Sequence, residues 1–160
     1  MAPCRTNCLP VSSRCLATRA HQVLAGLSVS TTTDLIRQYF DLLARFSTDP
    51  GAFEEILHPD VRQREFPNLL NRNGQESDLA DLLRRAALGK TILAKQSYDI
   101  TNVVEGTGQA VVEAVWRGEL AADVGVLKDG QKLTAYFCVV LEFKEGKIYR
   151  QRNYDCFESF

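Results

Sequence analysis

From Leu133 to Phe143 every odd position is apolar: Leu133, Ala135, Phe137, Val139, Leu141 and Phe143. The even positions mix Thr134, Tyr136, Cys138, Val140 and Glu142. A period of two belongs to a strand with one face in the core. Lys144-Glu145-Gly146-Lys147 reads as a turn, and Ile148 to Phe157 as the returning strand. Unbroken alternation puts Tyr149, Gln151, Asn153, Asp155 and Phe157 on one side of it, and Ile148, Arg150, Arg152, Tyr154 and Cys156 on the other. Gln151, Asn153 and Asp155 then form a polar row on a strand that is otherwise buried. Polar groups in such a place cost free energy unless they are partnered or used.

Upstream the period changes. Thr31-Thr32-Thr33-Asp34 is a cluster of N-cap residues ahead of Leu35, Ile36, Tyr39, Phe40, Leu42, Leu43 and Phe46, which recur at steps of three and four and predict a first helix. Asp49-Pro50 starts a second, short helix with Phe53, Ile56 and Leu57 on its apolar side and Pro59 as its stop. Val61 to Phe66 predicts a short strand closed by Pro67, and the Asn- and Gly-containing stretch that follows predicts a loop. A third helix is expected from about Ser77 to Leu88, with Leu79, Leu82, Leu83, Ala86 and Ala87 inward and Gly89 as its C-terminal stop. Thr91–Val104 and Gln109–Leu120 read as two further strands around a turn at Glu105-Gly106-Thr107-Gly108. Helices first and a meander of long strands after predict an α+β domain, its helices covering one face of a mostly antiparallel, curved sheet.

Composition narrows the setting. A chain of 160 residues, 45% hydrophobic and 24% charged, suits one globular domain. Residues 1–30 stand apart as an N-terminal extension, expected to be disordered, ahead of a domain at 31–160. The extension carries Arg5, Arg14 and Arg19 without any acid, a composition shared with organelle transit peptides. It has no apolar run long enough to span a membrane and no core-forming periodicity. Its removal is expected to leave the melting temperature unchanged, and a drop of several degrees in a scanning calorimeter would contradict that. Basic residues are nowhere clustered enough for nucleic acid. Cys4, Cys8 and Cys15 lack metal-site spacing, and Cys138 and Cys156 fall on strands, so the cysteines predict neither a metal site nor a disulfide framework but a reducing, cytoplasmic setting. His21 lies in the extension and His58 at a helix end, which also argues against a metal.

The three short helices, the strand and loop HPDVRQREFPNLLNRNG, the WRGEL segment, the LEFKEGKI turn and the closing RQRNYDCF resemble, in that order, the SnoaL-like branch of the nuclear-transport-factor-2-like fold, over residues 34–160. The resemblance implies a sheet curled into a cone over the helices, a small-molecule pocket and no cofactor. That fold serves isomerases, cyclases, hydrolases and plain binding proteins, so the residues must speak for themselves. Against the ketosteroid isomerase pattern, Tyr39 matches the tyrosine donor, but the position of the base holds Phe66, and Glu65 on a regular strand points to the opposite face. Against the limonene epoxide hydrolase pattern, Trp116-Arg117-Gly118-Glu119 supplies Arg117 and Glu119 on one face, while the second acid aligns with Asn153, an amide that carries no catalytic proton. The polyketide-cyclase relatives use one pocket carboxylate, and Asp155 fits that part, with Asn153, Gln151 and Glu65 as polar neighbours; Asp155 and Asn153 are expected as the catalytic groups of a pocket walled by Tyr39, Phe66 and Trp116 or Arg117.

Each of these residues has a plain alternative. Asp155 could be solvated at a strand end, Arg117 and Glu119 could be an exposed ion pair, Tyr39 a core aromatic, and Glu65 to Asn68 a turn. Two classes of function follow: a cofactor-free acid/base enzyme, or a ligand-binding or dimerisation module. A sheet apolar on both sides also predicts a homodimer through its outer face.

Overall fold

The computed structural model describes residues 31–160; the expectations for residues 1–30 lie outside them. Helix α1 (Thr32–Ala44) starts as its sequence demands, with Thr31 and Asp34 capping each other's backbone N–H groups. It buries Ile36, Tyr39, Phe40 and Leu42. Helix α2 (Pro50–Glu54) has Asp49 as its cap and proline at its first position.

The chain leaves α2 earlier than Pro59. Ile56 already accepts a hydrogen bond from the Ile148 N–H at 2.9 Å, and Leu57 pairs with Ile148, so sheet formation ends the helix. Strand β1 (Leu57–Glu65) therefore includes Pro59, which falls in the stretch where the register shifts between Leu57 and Arg62 and a missing N–H is tolerated. A short strand β2 (Gln75–Ser77), absent from the sequence reading, pairs with β1. Helix α3 (Leu79–Ile92) is capped by Asp78 and Asp81. It runs through Gly89, which lies beside the Phe46 ring instead of ending the helix. Its last turn delivers Ile92 to a second apolar cluster.

Strands β3 (Leu93–Gly106), β4 (Gln109–Leu120), β5 (Lys132–Lys144) and β6 (Lys147–Phe157) form the antiparallel meander, and β6 pairs in parallel with β1 to give the order β2-β1-β6-β5-β4-β3. The inward face of β5 is the alternation read from the sequence, with Leu133, Ala135, Val139 and Leu141 buried. On β6 the alternation breaks once. Glu142 pairs with Arg150 and Phe143 with Ile148, so Tyr149 is an extra residue. That bulge moves Tyr149 off the inner face and puts Ile148 on it with Gln151 and Asn153, which corrects the parity expected for the start of this strand.

Two apolar clusters sit on the inner face. The larger joins α1 and α2 to Val61, Val112, Val139, Leu141 and Ile148. The smaller gathers Trp116, Leu120, Leu127, Leu133 and Ala135 with Ile92, Phe137 and Phe157 packed against it. Gly118 makes room for this cluster, because a Cβ there would stand 2.5 Å from the Trp116 indole. Cys138 and Cys156 are free thiols on the outer face, so a reductant is expected to leave the unfolding transition of the protein unchanged; a large loss of stability under reduction would overturn this.

Candidate functional site

Both clusters border one cavity of about 470 Å³. Its apolar walls include Phe40, Leu43, Leu82, Tyr98, Trp116, Leu133, Phe137 and Phe157. The rings meet mostly edge to face, Phe40 on Tyr98 at 5.3 Å and Trp116 on Phe157 at 5.8 Å between centroids. The indole is fixed by a hydrogen bond from Trp116 Nε1 to Gln96 Oε1 at 2.9 Å, and Gln96 in turn donates to the Leu43 carbonyl.

Polar groups enter this wall from three elements. The β1 alternation turns Val61, Gln63 and Glu65 inward, and the Glu65 carboxylate is held from several sides. Asn68 Nδ2 donates to its Oε1 at 2.8 Å, Asn71 Nδ2 to the same oxygen at 3.3 Å, and Gln75 Nε2 to Oε2 at 3.0 Å. Arg85 of α3 donates to Glu65 Oε2 at 2.5 Å and to Gln63 Oε1 at 2.8 Å. Burial disfavours the charged carboxylate of Glu65, but Arg85 and the amide donors outweigh it and hold the group below its ordinary pKa. Glu65 is thus an ionised, fully coordinated anchor. The loop after β1 folds back to reach it, and Gly74 permits the approach: its φ is +61°, and a Cβ would stand 2.5 Å from the Glu65 carbonyl oxygen. Asn68 also closes its own turn, its Oδ1 accepting from the Leu70 and Asn71 N–H groups.

Strand β6 supplies the other group. Gln151 Nε2 donates to Asn153 Oδ1 at 2.8 Å, which leaves Gln151 Oε1 as a buried acceptor without a partner. Asp155 Oδ1 and the Tyr39 hydroxyl of α1 are likewise buried and unpartnered, and all three residues line the same cavity. Asp155 is pushed up to about 7, first by burial and then by the charge of Glu65, with Arg85 pulling the other way. Burial drives the Tyr39 hydroxyl up to about 12, opposed by the adjacent Gln151 side chain, with which it makes no hydrogen bond of standard geometry, and burial raises Tyr98 as well. Two carboxyls share one cavity with their proton affinities driven apart, the arrangement that separates a proton carrier from a fixed charge.

The sequence profile of the SnoaL-like domain matches residues 36–151. The chain belongs to the SnoaL-like family. Solved structures show the same α+β, ketosteroid isomerase-like fold. IdmH of Streptomyces antibioticus, a proposed polyketide cyclase, superposes with a TM-score of 0.64 at 15% identity, over 77% of this chain and 90% of its own. A SnoaL-like polyketide cyclase of Agrobacterium tumefaciens gives 0.57 at 12% identity, over 77% and 89%. A protein of ketosteroid isomerase-like fold from Catenulispora acidiphila, solved with trimethylamine, gives 0.61 at 14% identity, over 78% and 86%. No curated protein matches the chain.

Of the residues singled out in the sequence of this SnoaL-like protein, Tyr39, Glu65, Trp116, Gln151, Asn153 and Asp155 meet at the cavity. Phe66, Arg117 and Glu119 do not. Phe66 follows the last inward residue of β1 and stacks on Tyr154 at 4.6 Å, outside the cavity. Arg117 and Glu119 share a face as expected, but Trp116 and Gly118 take the inner one, so both charges point outward. There Glu119 pairs with Lys95 at 2.9 Å instead of with Arg117. The residue the sequence reading missed is Arg85. It stands three after Leu82 and four before Gly89 in α3, the spacing of one helix face, and that spacing was the available signal.

Proposed function

We propose that this SnoaL-like protein is a small-molecule pocket protein that acts without a cofactor on a small apolar, oxygenated compound, with Asp155 carrying the proton. The observation behind the reading is the Asp155 carboxyl itself: one oxygen buried and unpartnered, in an apolar-walled cavity, with affinity for its proton near neutrality. Ionised Asp155 takes a proton from the carbon beside a carbonyl and, once protonated, returns it at another position or to the new oxygen of a closed ring. The Tyr39 hydroxyl donates to the substrate oxygen that gains charge. Gln151 Oε1 accepts from a hydroxyl of the substrate, and Asn153 orients Gln151.

Cyclase- or isomerase-type chemistry suits this set better than epoxide hydrolysis, because Arg117 and Glu119 face away from the cavity and Asn153 stands where a second acid would be needed. The same Asn153 favours the competing reading, a non-catalytic binding protein, since the polar atoms of the cavity then serve recognition alone. Native mass spectrometry of freshly purified protein tests the shared claim: a bound small molecule with apolar and oxygenated parts is expected, and turnover of that molecule separates enzyme from binder. If protein purified under mild conditions binds no such compound, the pocket reading fails.

The outer sheet face exposes Tyr136 and Tyr154 beside Cys138 and Cys156 on β5 and β6. A second copy of the chain covers it in this reading, so light scattering at micromolar concentration is expected to give a dimer mass, and a monomer would count against it.

A further inference from the structure

The cavity has two unlike kinds of lining. Three of its polar atoms, the Tyr39 hydroxyl, Gln151 Oε1 and Asp155 Oδ1, are out of reach of solvent, while Asn68, Asn71, Gln75 and Arg85, which also line it, are partly buried. Leu70, Leu88 and Val124 also line the cavity and are exposed at the same time. They come from three separate segments: the loop after β1, the end of α3 and the loop between β4 and β5. Leu69 and Val126 extend the apolar surface outward beside Leu70 and Val124 in sequence, Val126 being 86% exposed. Single exposed apolar side chains are ordinary on a protein surface. Three that belong to a cavity wall carry its apolar lining out to the surface.

We propose that the ligand is an amphiphile, whose oxygenated head meets the three buried polar atoms and whose flexible apolar chain runs out of the cavity over Leu70, Leu88 and Val124 towards Val126. The proposal rests on those polar atoms being the recognition site, as argued above, and adds the chemical class of what is recognised. A short compound would leave the three rim residues wet, and a rigid polycycle confined to the interior would not reach Val126. A chain covers both. Because the head is met by a raised carboxyl, a hydroxyl and an amide, and Arg85, the cation lining the cavity, is already paired with Glu65, a neutral head with hydroxyl and carbonyl oxygens suits it better than an anionic one.

The test uses the full chain and neutral monoacylglycerols with octanoyl, dodecanoyl and hexadecanoyl chains, each below its aggregation concentration, read by the fluorescence of Trp116, the chain's single tryptophan, on the cavity wall. Affinity is expected to rise along the series by up to about fourfold per methylene while the chain is being buried. Val126→Glu, outside the cavity lining, is expected to weaken the hexadecanoyl compound by about tenfold or more and to leave the octanoyl compound unchanged, and Leu88→Glu, on the wall itself, to weaken the hexadecanoyl compound more than the octanoyl one, from the loss of buried methylenes at the rim. Equal affinity of the octanoyl and hexadecanoyl compounds, or equal weakening of both by the rim charges, would overturn the proposal. The reading of the polar atoms is tested separately in the same assay by Asp155→Asn, which is expected to remove the pH dependence of octanoyl binding; pH dependence that survives in the variant counts against that reading and not against the rim.

Discussion

Asp155→Asn will make the protein more stable than the parent at about pH 8 and flatten its dependence on pH between about 4 and 7. The carboxyl is raised from 3.8 to about 7 in the folded protein, because burial and the nearby Glu65 carboxylate disfavour its charged form. A raised acid contributes stability below its unfolded pKa and loses it as pH climbs through the folded one. Between those limits the native state holds a proton that the unfolded chain releases, so the parent weakens with rising pH. At about 1.36 kcal/mol per pKa unit, a shift of roughly three units gives about 4 kcal/mol as a ceiling, and water at the half-buried strand end lowers it to roughly 2–4 kcal/mol. Asparagine keeps the shape and has nothing to ionise. Urea unfolding of both proteins across that range measures the difference, and parallel pH profiles would show that Asp155 is an ordinary carboxylate. With a substrate in hand, the same variant is expected to lose about 10²- to 10⁴-fold in turnover, the usual contribution of a positioned proton carrier, while retaining binding.

Arg85→Met is expected to cost about 2–3 kcal/mol. Glu65 is nearly fully buried and keeps its charge through Arg85 and three amide donors. Removing the cation leaves a buried carboxylate with amides alone, a change that costs about 3–5 kcal/mol where both partners are buried. Arg85 is about one-third exposed, so water recovers part of this. The cost is expected to shrink in the Glu65→Gln, Arg85→Met double variant, where no charge is left stranded. A second readout ties Arg85 to the site: it is the cation that opposes the rise of Asp155, so its loss moves the Asp155 midpoint further up. If the two single variants are additive in denaturant unfolding, Glu65 and Arg85 do not act as a pair.

Periodicity carried most of the fold. The odd positions of β5 and the capping residues of α1 say the same thing about local structure and about the core, and the chain obeys both. What periodicity cannot carry is a residue that two partners compete for. Leu57 fits the apolar face of a short helix, yet pairing with Ile148 claims it for the sheet. Tyr149 fits the alternation of β6, yet the bulge takes it out of the count, because a register shift depends on the partner strand. For the site, Asp155 was legible because a polar row on a buried strand is itself a physical anomaly. Glu65 and Phe66 exchanged roles because the family pattern puts its base just before the proline, whereas the strand's own alternation through Val61 and Gln63 turns Glu65 inward. Arg85 was hidden by its type: an arginine on an amphipathic helix reads as surface until the carboxylate it reaches, twenty residues away in sequence, is placed beside it.

Asp155 is expected to keep a proton near neutrality because it is buried beside the ionised Glu65. Carbon-13 NMR of the labelled aspartate carboxyl groups, with Asp155→Asn to assign the signal, follows that proton directly. A midpoint near 7 is expected for Asp155, moving upward in Arg85→Met. A midpoint near 4, the ordinary range for an exposed aspartate, would contradict it.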